Sequence, residues 1–232
     1  MRIDLHNFFQ YYDKNNPKHV AAIEQFEIDL EKKCPELMND SSNWVRIYRS
    51  KPDQKVSGVL NVPFYPQTDN YRDANRTCNS SACAMCLEYF KPGTLQGAKG
   101  DDAYVQKVFA IGDTTDHSVQ TKALLSYDIK SSFSYSLTFA DLDRELAAGR
   151  PIVIGILHRG TLSRPTGGHM VVVVGKTESG DYIVNDPYGS LNDGYTGSVY
   201  NGKGAVYKKI ELSSRWCPKG NDGWGRIFDV KK

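Results

Sequence analysis

The chain has 232 residues, which is more than one average domain and fewer than two. Its composition, 40% hydrophobic and 24% charged, is that of an ordinary globular protein, and its 14 Tyr, 9 Phe and 3 Trp exclude disorder along the whole chain. The 29 basic and 27 acidic residues leave a formal net charge of +2, which argues against a nucleic-acid-binding protein.

The sequence shows no export or membrane signal. No stretch approaches roughly 18 consecutive apolar residues, so we expect no membrane-spanning helix and no stable membrane association. The first residues include Asp4 and lack the apolar core of a signal peptide. We therefore expect a protein that is made in the cytoplasm.

The chain divides into a short N-terminal part and a longer body. Residues 1–50 contain one helical pattern, beginning near Asn16 and Pro17, and predict a small helical extension. This extension could act as a docking or targeting element, or it could only stabilise the rest. Residues 51–58 have the composition of a linker, and residues 59–232 form the body.

The first half of the body contains mainly helical patterns. Gly58 to Tyr65 predicts a short strand that runs into a loop. Apolar spacing and capping residues predict four helices: Asn79–Phe90 with Asn79 or Ser80 as its cap, one from Asp101, one from near Ser118, and one from a capping box at Thr138–Asp141 to Gly149.

The second half of the body contains mainly strand patterns, rich in Val and Ile or alternating. The predicted strands are Pro151–Leu157, His169–Gly175, Asp181–Asn185 and Ala205–Leu212. Helices followed by antiparallel strands indicate an α+β fold. The aromatic tail from Trp216 to Arg226 could line a substrate groove, but sealing of the sheet is the favoured interpretation.

The five cysteines are an odd number, so at least one thiol needs an explanation other than a disulfide. Cys83 and Cys86 lie on the apolar face of a predicted helix, where we expect core packing. Together with Cys78 they lack a fourth ligand, so we expect no metal site, and nothing indicates another cofactor. Cys34 and Cys217 could pair, although nothing in the sequence requires it.

Three residues have the pattern of a nucleophile with the two side chains that would activate it. Cys78 lies at a helix start, where free amides and the helix dipole favour a thiolate, although a buried structural cysteine is the alternative. His169 opens an apolar strand, and a hairpin centred between residues 177 and 178 would place Asp186 directly opposite it. A slip of one residue would separate this pair. A carboxylate that orients an imidazole beside a cysteine is the arrangement that activates a thiol.

Two further histidines have weaker signals. His117 could be a second polar partner, but its position favours a helix-start residue. His158 follows a predicted strand, where it could line a cleft, and we expect it to be exposed instead.

The motifs around these residues carry a family resemblance. The run CNSSACAMCLEYF from Cys78 is preceded by VPFYPQ and followed by GRPIVIGI, GGHMVVVVG and YIVNDPYG. Over about residues 60–190 the chain resembles the double-glycine, bacteriocin-processing branch of the papain-like cysteine peptidases. The resemblance implies a papain-like fold with the nucleophile Cys78 at a helix start and a sheet that carries His169 and Asp186. It also implies that Gln67 contributes to the oxyanion hole.

The sequence departs from the family pattern in three ways. Asn79 and Ser80 replace the Gly-Pro that usually follows the cysteine, and Gln67 lies 11 residues before Cys78, a longer gap than in papain. No transporter or nucleotide-binding segment is attached, which argues against bacteriocin maturation.

These patterns together predict hydrolysis of an amide bond by a cysteine peptidase. Chains of this kind resemble phage or prophage lysins, so a peptide crosslink of peptidoglycan is the favoured substrate and an endolysin the favoured role. A peptidase directed at a protein or leader peptide, and a papain-like module that only binds, remain open as alternatives. The sequence does not determine the bond cleaved or the oligomeric state.

Overall fold

The computed structural model describes Lys18, residues 58–97 and residues 99–230. Lys18 is exposed and helical. The other predictions for the N-terminal extension and nearly all of the linker lie outside the described residues. Within the described residues, no helix is both long enough and apolar enough to span a membrane.

Five α-helices form in the described part of the body: α1 Cys78–Phe90, α2 Asp101–Ile111, α3 His117–Leu125, α4 Phe139–Ala147 and α5 Lys209–Arg215. The predicted capping box of α4 is confirmed, because Thr138 accepts from the Asp141 amide and the Asp141 carboxylate accepts from the Thr138 amide. The predicted cap of α1 is wrong. The helix begins one residue earlier, at Cys78, and its N-cap Thr77 makes no side-chain capping bond.

Six antiparallel strands form one sheet with the order β1-β6-β2-β3-β4-β5. They are β1 Ser131–Leu137, β2 Ile152–Thr161, β3 Arg164–Lys176, β4 Tyr182–Asn185, β5 Lys203–Tyr207 and β6 Gly223–Phe228. β1 and β6 were not predicted, because their many serines and glycines have a weak preference for strands. They form strands in the structure because pairing with neighbouring strands overrides this weak preference.

Two strand predictions are wrong in extent. Residues 58–65 form no strand, although the Leu60 amide donates to the carbonyl of Val174 in β3. The predicted strand Ala205–Leu212 divides, because β5 ends at Tyr207 and the remaining residues enter α5. Leu212 is then buried as a helical residue rather than as a strand residue.

The sheet separates two apolar clusters. Met170, Val172 and Val174 of β3 pack towards α1, whereas Val171 and Val173 face the opposite side. Helix α1 is buried along most of its length, and each large apolar side chain that it buries contributes roughly 1.5–3 kcal/mol. This packing fixes the start of α1 relative to the strands.

The aromatic tail has two different roles. Trp216 is buried and packs in the cluster opposite α1, which confirms the expected sealing role. Trp224 in β6 is half-buried, and its ring lies over Gly155 and next to Gly168, the residue before His169. A Cβ at Gly155 would collide with that ring, so the glycine leaves the space that the indole occupies.

We expect Gly155→Ala to destabilise the protein by about 1–3 kcal/mol, because the added methyl group must displace a rigid ring. Urea denaturation monitored by fluorescence would measure the change. Gly168→Ala is the matched control, because its Cβ would lie at an ordinary 3.6 Å from the same ring. Equal stabilities of the two variants would contradict this account of the packing.

Candidate active site

Cys78 is the first residue of α1, and its side chain is half-buried. Burial by itself raises the pKa of the Cys78 thiol. Hydrogen bonding to His169 and the charge of that ring, together with backbone groups of Met170 and Asn79, outweigh burial and lower the pKa. The helix start acts in the same direction, because its free N–H groups favour an anion. The site therefore favours a thiolate at residue 78.

His169 in β3 is buried, and its Nε2 lies 2.6 Å from Oδ1 of Asp186. Burial by itself lowers the pKa of His169. The charge and hydrogen bond of Asp186, followed by those of Cys78, reverse this and raise the pKa to about 10. The imidazole is therefore protonated at neutral pH. With Nε2 bound to Asp186, Nδ1 is the ring nitrogen left for Cys78.

The structure brings His169 and Asp186 together by a different register from the one predicted. Val172 pairs with Asn185, so β4 is offset by two residues from the predicted pairing, and a bulge follows between Val173 and Gly175. Asp186 is therefore not directly opposite His169. An offset of two residues keeps a side chain on the same face of the sheet, so the two still meet.

The Asp186 carboxylate is fully buried and accepts four hydrogen bonds. Oδ1 accepts from His169 and from the Tyr188 amide at 2.9 Å. Oδ2 accepts from the hydroxyls of Tyr207 at 2.6 Å and Tyr195 at 3.2 Å. The sequence gives no signal for these three tyrosines, since no spacing relative to Asp186 marks them.

Gln67 lies in a short 3₁₀ turn, Gln67–Asp69, and is buried. Its backbone amide donates to the Pro187 carbonyl at 2.8 Å, which ties the turn to the residue after Asp186. Its side-chain nitrogen donates to the Ala74 carbonyl at 2.9 Å, and its Oε1 is buried without a partner. The amide nitrogen carries a second N–H, so the expected role at an oxyanion stays a prediction.

The long connection between Gln67 and Cys78 is anchored to the helices by a buried polar cluster. Ser81 of α1 donates to Oδ2 of Asp101 at 2.7 Å. The side-chain amide of Asn70 is oriented so that both its oxygen and its nitrogen form hydrogen bonds. In this orientation its nitrogen donates to Asp101 at 3.0 Å and to Asp102 at 3.3 Å. This cluster holds the connection against α1 despite its length.

His158 is not the exposed residue that the sequence predicted. Its ring is half-buried and stacks on His169, with 4.7 Å between the ring centroids. Burial and then the charge of His169 lower the pKa of His158 to about 4, so this ring is neutral beside the charged one. The alternating strand pattern did not show on which side of β2 the ring would lie.

His117 begins α3, as the sequence indicated, and also contacts the residue after the cysteine. Its Nδ1 lies 3.2 Å from the Asn79 side-chain nitrogen, and its ring stacks on Phe133 at 3.5 Å. Trp224 lies edge-on to the same ring at 6.3 Å. These aromatic side chains form one wall beside the start of α1.

The remaining described cysteines have structural positions. Cys83 and Cys86 are fully buried in the core, which confirms their expected packing role, and burial raises the pKa of both thiols. Cys217 is buried and its thiol donates to the Leu137 carbonyl at 3.4 Å, while Cys34 lies outside the described residues. In the described ranges, no three His, Cys, Asp or Glu side chains are grouped as metal ligands.

The fold and the cysteine at the start of its central helix define a cysteine peptidase with a papain-like fold. Residues 59–215 match the model of the Peptidase_C39 like family, and the chain belongs to that family.

A solved structure with a TM-score of 0.50 agrees with this fold. No curated protein matches the chain. A protein described as a C39-like peptidase from Bacillus anthracis has a similar structure, with a TM-score of 0.50 and 17% identity over 78% of this chain and 99% of that one. A double glycine motif protease from an AMS/PCAT transporter, solved with a leader peptide, has a TM-score of 0.47 and 17% identity, covering 74% of this chain and 94% of that one.

We expect the buried carboxyl of Asp101 to make stability fall as the pH rises. Burial, followed by the charges of Asp69 and Asp102, raises its pKa from 3.8 to about 7, so the folded state binds the proton more tightly than the unfolded state. Protonation of Asp101 therefore stabilises the folded state fully below about pH 4, and this stabilisation is lost by about pH 7. Asp101→Asn should therefore gain roughly 2 kcal/mol over the wild type at pH 8 and nothing at pH 4.

Urea denaturation of both proteins across this pH range would measure the difference. Asp128→Asn serves as the control, because that carboxylate is exposed and pairs with Lys91 on the surface. An Asp101→Asn variant whose stability follows the wild-type pH dependence would contradict the assignment.

Proposed function

We propose that this protein hydrolyses amide bonds, with Cys78 as the nucleophile, His169 as the general base and acid, and Asp186 as the residue that orients His169. The observation that carries the proposal is the buried 2.6 Å contact between His169 and Asp186 beside a cysteine at a helix start. This arrangement places a thiolate next to a protonated imidazole.

In the first step, the Cys78 thiolate attacks the carbonyl carbon of the substrate and forms a carbon–sulfur bond. The carbonyl oxygen becomes negatively charged as the tetrahedral intermediate forms. His169 then gives its proton to the amide nitrogen, the carbon–nitrogen bond breaks, and an amine leaves. The acyl group remains on Cys78 as a thioester.

In the second step, the neutral His169 takes a proton from water, and the oxygen of that water attacks the thioester. The carbon–sulfur bond breaks, the carboxylic acid product leaves, and the pair of Cys78 thiolate and protonated His169 is restored. The Asp186 carboxylate stabilises the imidazolium through its contact with Nε2 of His169.

Gln67 has the chemistry to stabilise the oxyanion together with the backbone amide of Cys78. One N–H of its side chain is engaged by the Ala74 carbonyl, which fixes the plane of the amide. The second N–H then has a fixed direction and needs no reorganisation as charge develops.

The substrate that we propose is a peptide crosslink of peptidoglycan, cleaved by a phage-type endolysin after a lesion in the host membrane. The support for this substrate is the resemblance of the chain as a whole to phage and prophage lysins. Cleavage of a protein or leader peptide is the alternative that the experiments below separate.

Iodoacetamide at pH 6 should alkylate Cys78 faster than Cys217, because the Cys78 thiol has a lowered pKa and is partly exposed, whereas Cys217 is buried. His169→Ala should slow the alkylation of Cys78 by roughly 10-fold or more, since the thiolate loses its cationic partner. Peptide mapping by mass spectrometry would give the rate at each thiol. Unchanged alkylation of Cys78 in His169→Ala would rule out the activated nucleophile.

Purified peptidoglycan incubated with the wild type should release new amino groups, and mass spectrometry of the products would identify the bond. Cys78→Ala should lose essentially all of this activity, because the thioester cannot form. Cys217→Ala is the matched control, since that thiol is buried away from the site, and it should retain activity. An intact wall together with cleavage of a protein substrate would replace the endolysin by a protein-directed peptidase.

A further inference from the structure

Two tyrosine hydroxyls occupy the side of the Asp186 carboxylate that faces away from His169. Tyr207, the last residue of β5, is fully buried, and its hydroxyl donates to Oδ2 at 2.6 Å while it accepts from the Leu191 amide at 2.9 Å. The Tyr195 hydroxyl donates to the same oxygen at 3.2 Å. A buried carboxylate with Oδ2 held by two donors cannot rotate without breaking these hydrogen bonds.

The hydroxyls remain donors over the working pH range. Burial, followed by the negative charge of Asp186, raises the pKa of both Tyr195 and Tyr207 well above the usual range. Neither phenol loses its proton near neutral pH, so both hydrogen bonds to Oδ2 persist.

Residues 190–202 form most of the segment between β4 and β5, and we call them the tyrosine loop. The loop is folded so that it presents Tyr195. Tyr195 has φ +61°, a left-handed conformation that a residue with a side chain rarely adopts. Its amide donates to the Ser190 carbonyl at 2.9 Å and to Asp193 Oδ1 at 3.0 Å, which hold this conformation. A backbone held in an unfavourable region to deliver one side chain points to a role for that side chain.

Close packing keeps the tyrosine loop against Asp186. Asn201 donates to Asp193 Oδ2 at 2.8 Å and so connects the two ends of the loop. The Asp186 amide donates to the Gly202 carbonyl at 2.9 Å, and a Cβ at Gly202 would collide with the carbonyl oxygen of Asp186. The end of the tyrosine loop is therefore attached to the backbone of Asp186, the residue whose carboxylate accepts from Tyr195.

We propose that Tyr195 and Tyr207 are positioning residues: by occupying Oδ2 of Asp186, they keep Oδ1 directed at Nε2 of His169. This inference rests on the proposed function, because it assigns how the Cys78–His169 pair is kept charged. Without the two hydroxyls the carboxylate gains rotational freedom, its bond to His169 weakens, and the imidazolium becomes less stable. The thiolate of Cys78 then loses part of its stabilisation.

Few other charged or titratable groups face the pair. Cys78 comes from α1, His158 from β2 stacks on the His169 ring, and the Tyr188 ring lies edge-on to it at 6.0 Å. The charges of Arg159 on β2 and Arg215 on α5 act on His158, and Arg215 also acts on Tyr195. Conversion of Tyr195 and Tyr207 to Phe leaves all of these groups in place.

The test is the pH dependence of iodoacetamide alkylation of Cys78, which needs no knowledge of the substrate. In the double variant Tyr195→Phe, Tyr207→Phe we expect the midpoint of thiolate formation to rise by roughly one pH unit, with a smaller rise in each single variant. Activity on peptidoglycan should fall by roughly 10-fold to 100-fold in kcat/KM. Tyr200→Phe is the matched control, because Tyr200 lies in the same loop but its ring is exposed.

A folded double variant with the wild-type midpoint would overturn the proposal, even if its thermal stability had decreased, because the tyrosines would then only stabilise the fold. Tyr195→Phe alone keeps the test open if the double variant fails to fold, since Tyr207 still holds the carboxylate. A wild type whose Cys78 titrates like an ordinary thiol would refute the nucleophile itself, and this outcome differs from a failure of the tyrosines.

Discussion

The burial of the Asp186 carboxylate determines how the segments around the end of β4 are arranged. Asp186 has no contact with water, so each of its lone pairs needs a donor from the protein. The donors come from β3, from the turn after β4, from the tyrosine loop and from β5. The chain must bring all of these segments to one point, and the charge on Asp186 in turn keeps His169 protonated inside an apolar environment.

The helices on one face of the sheet place a cysteine next to that imidazole. Helix α1 packs along β3 through Met170, Val172 and Val174, and this apolar contact sets the distance between the helix start and His169. The connection that follows Gln67 is held to α1 by the buried Asp101 cluster, through Asn70 and Ser81. Packing on one face of the sheet and hydrogen bonding at its end therefore place the same two residues, Cys78 and His169.

Local signals predicted the parts of this structure whose cause is local. The capping box at Thr138 and the apolar face that buries Cys83 and Cys86 depend on residues within one or two helical turns of each other. The register of β4 was predicted two residues away from its observed position, because Lys176 pairs with Tyr182 and the turn is therefore centred on residue 179. The bulge in β3 then removes one residue of this shift. Pairing between β1, β6 and β2 left no signal, because β6 finds its partners far away in sequence.

The sequence by itself determined the class of chemistry: a cysteine at a helix start, a histidine opening an apolar strand and an aspartate at the end of the next strand are local patterns. It also placed His169 and Asp186 on one face of the sheet, since an offset of two residues preserves the face. Only the tertiary structure decided what surrounds them. The hydroxyls on Asp186, the ring of His158 on His169 and the indole of Trp224 over Gly155 are contacts between distant segments, which no local spacing encodes.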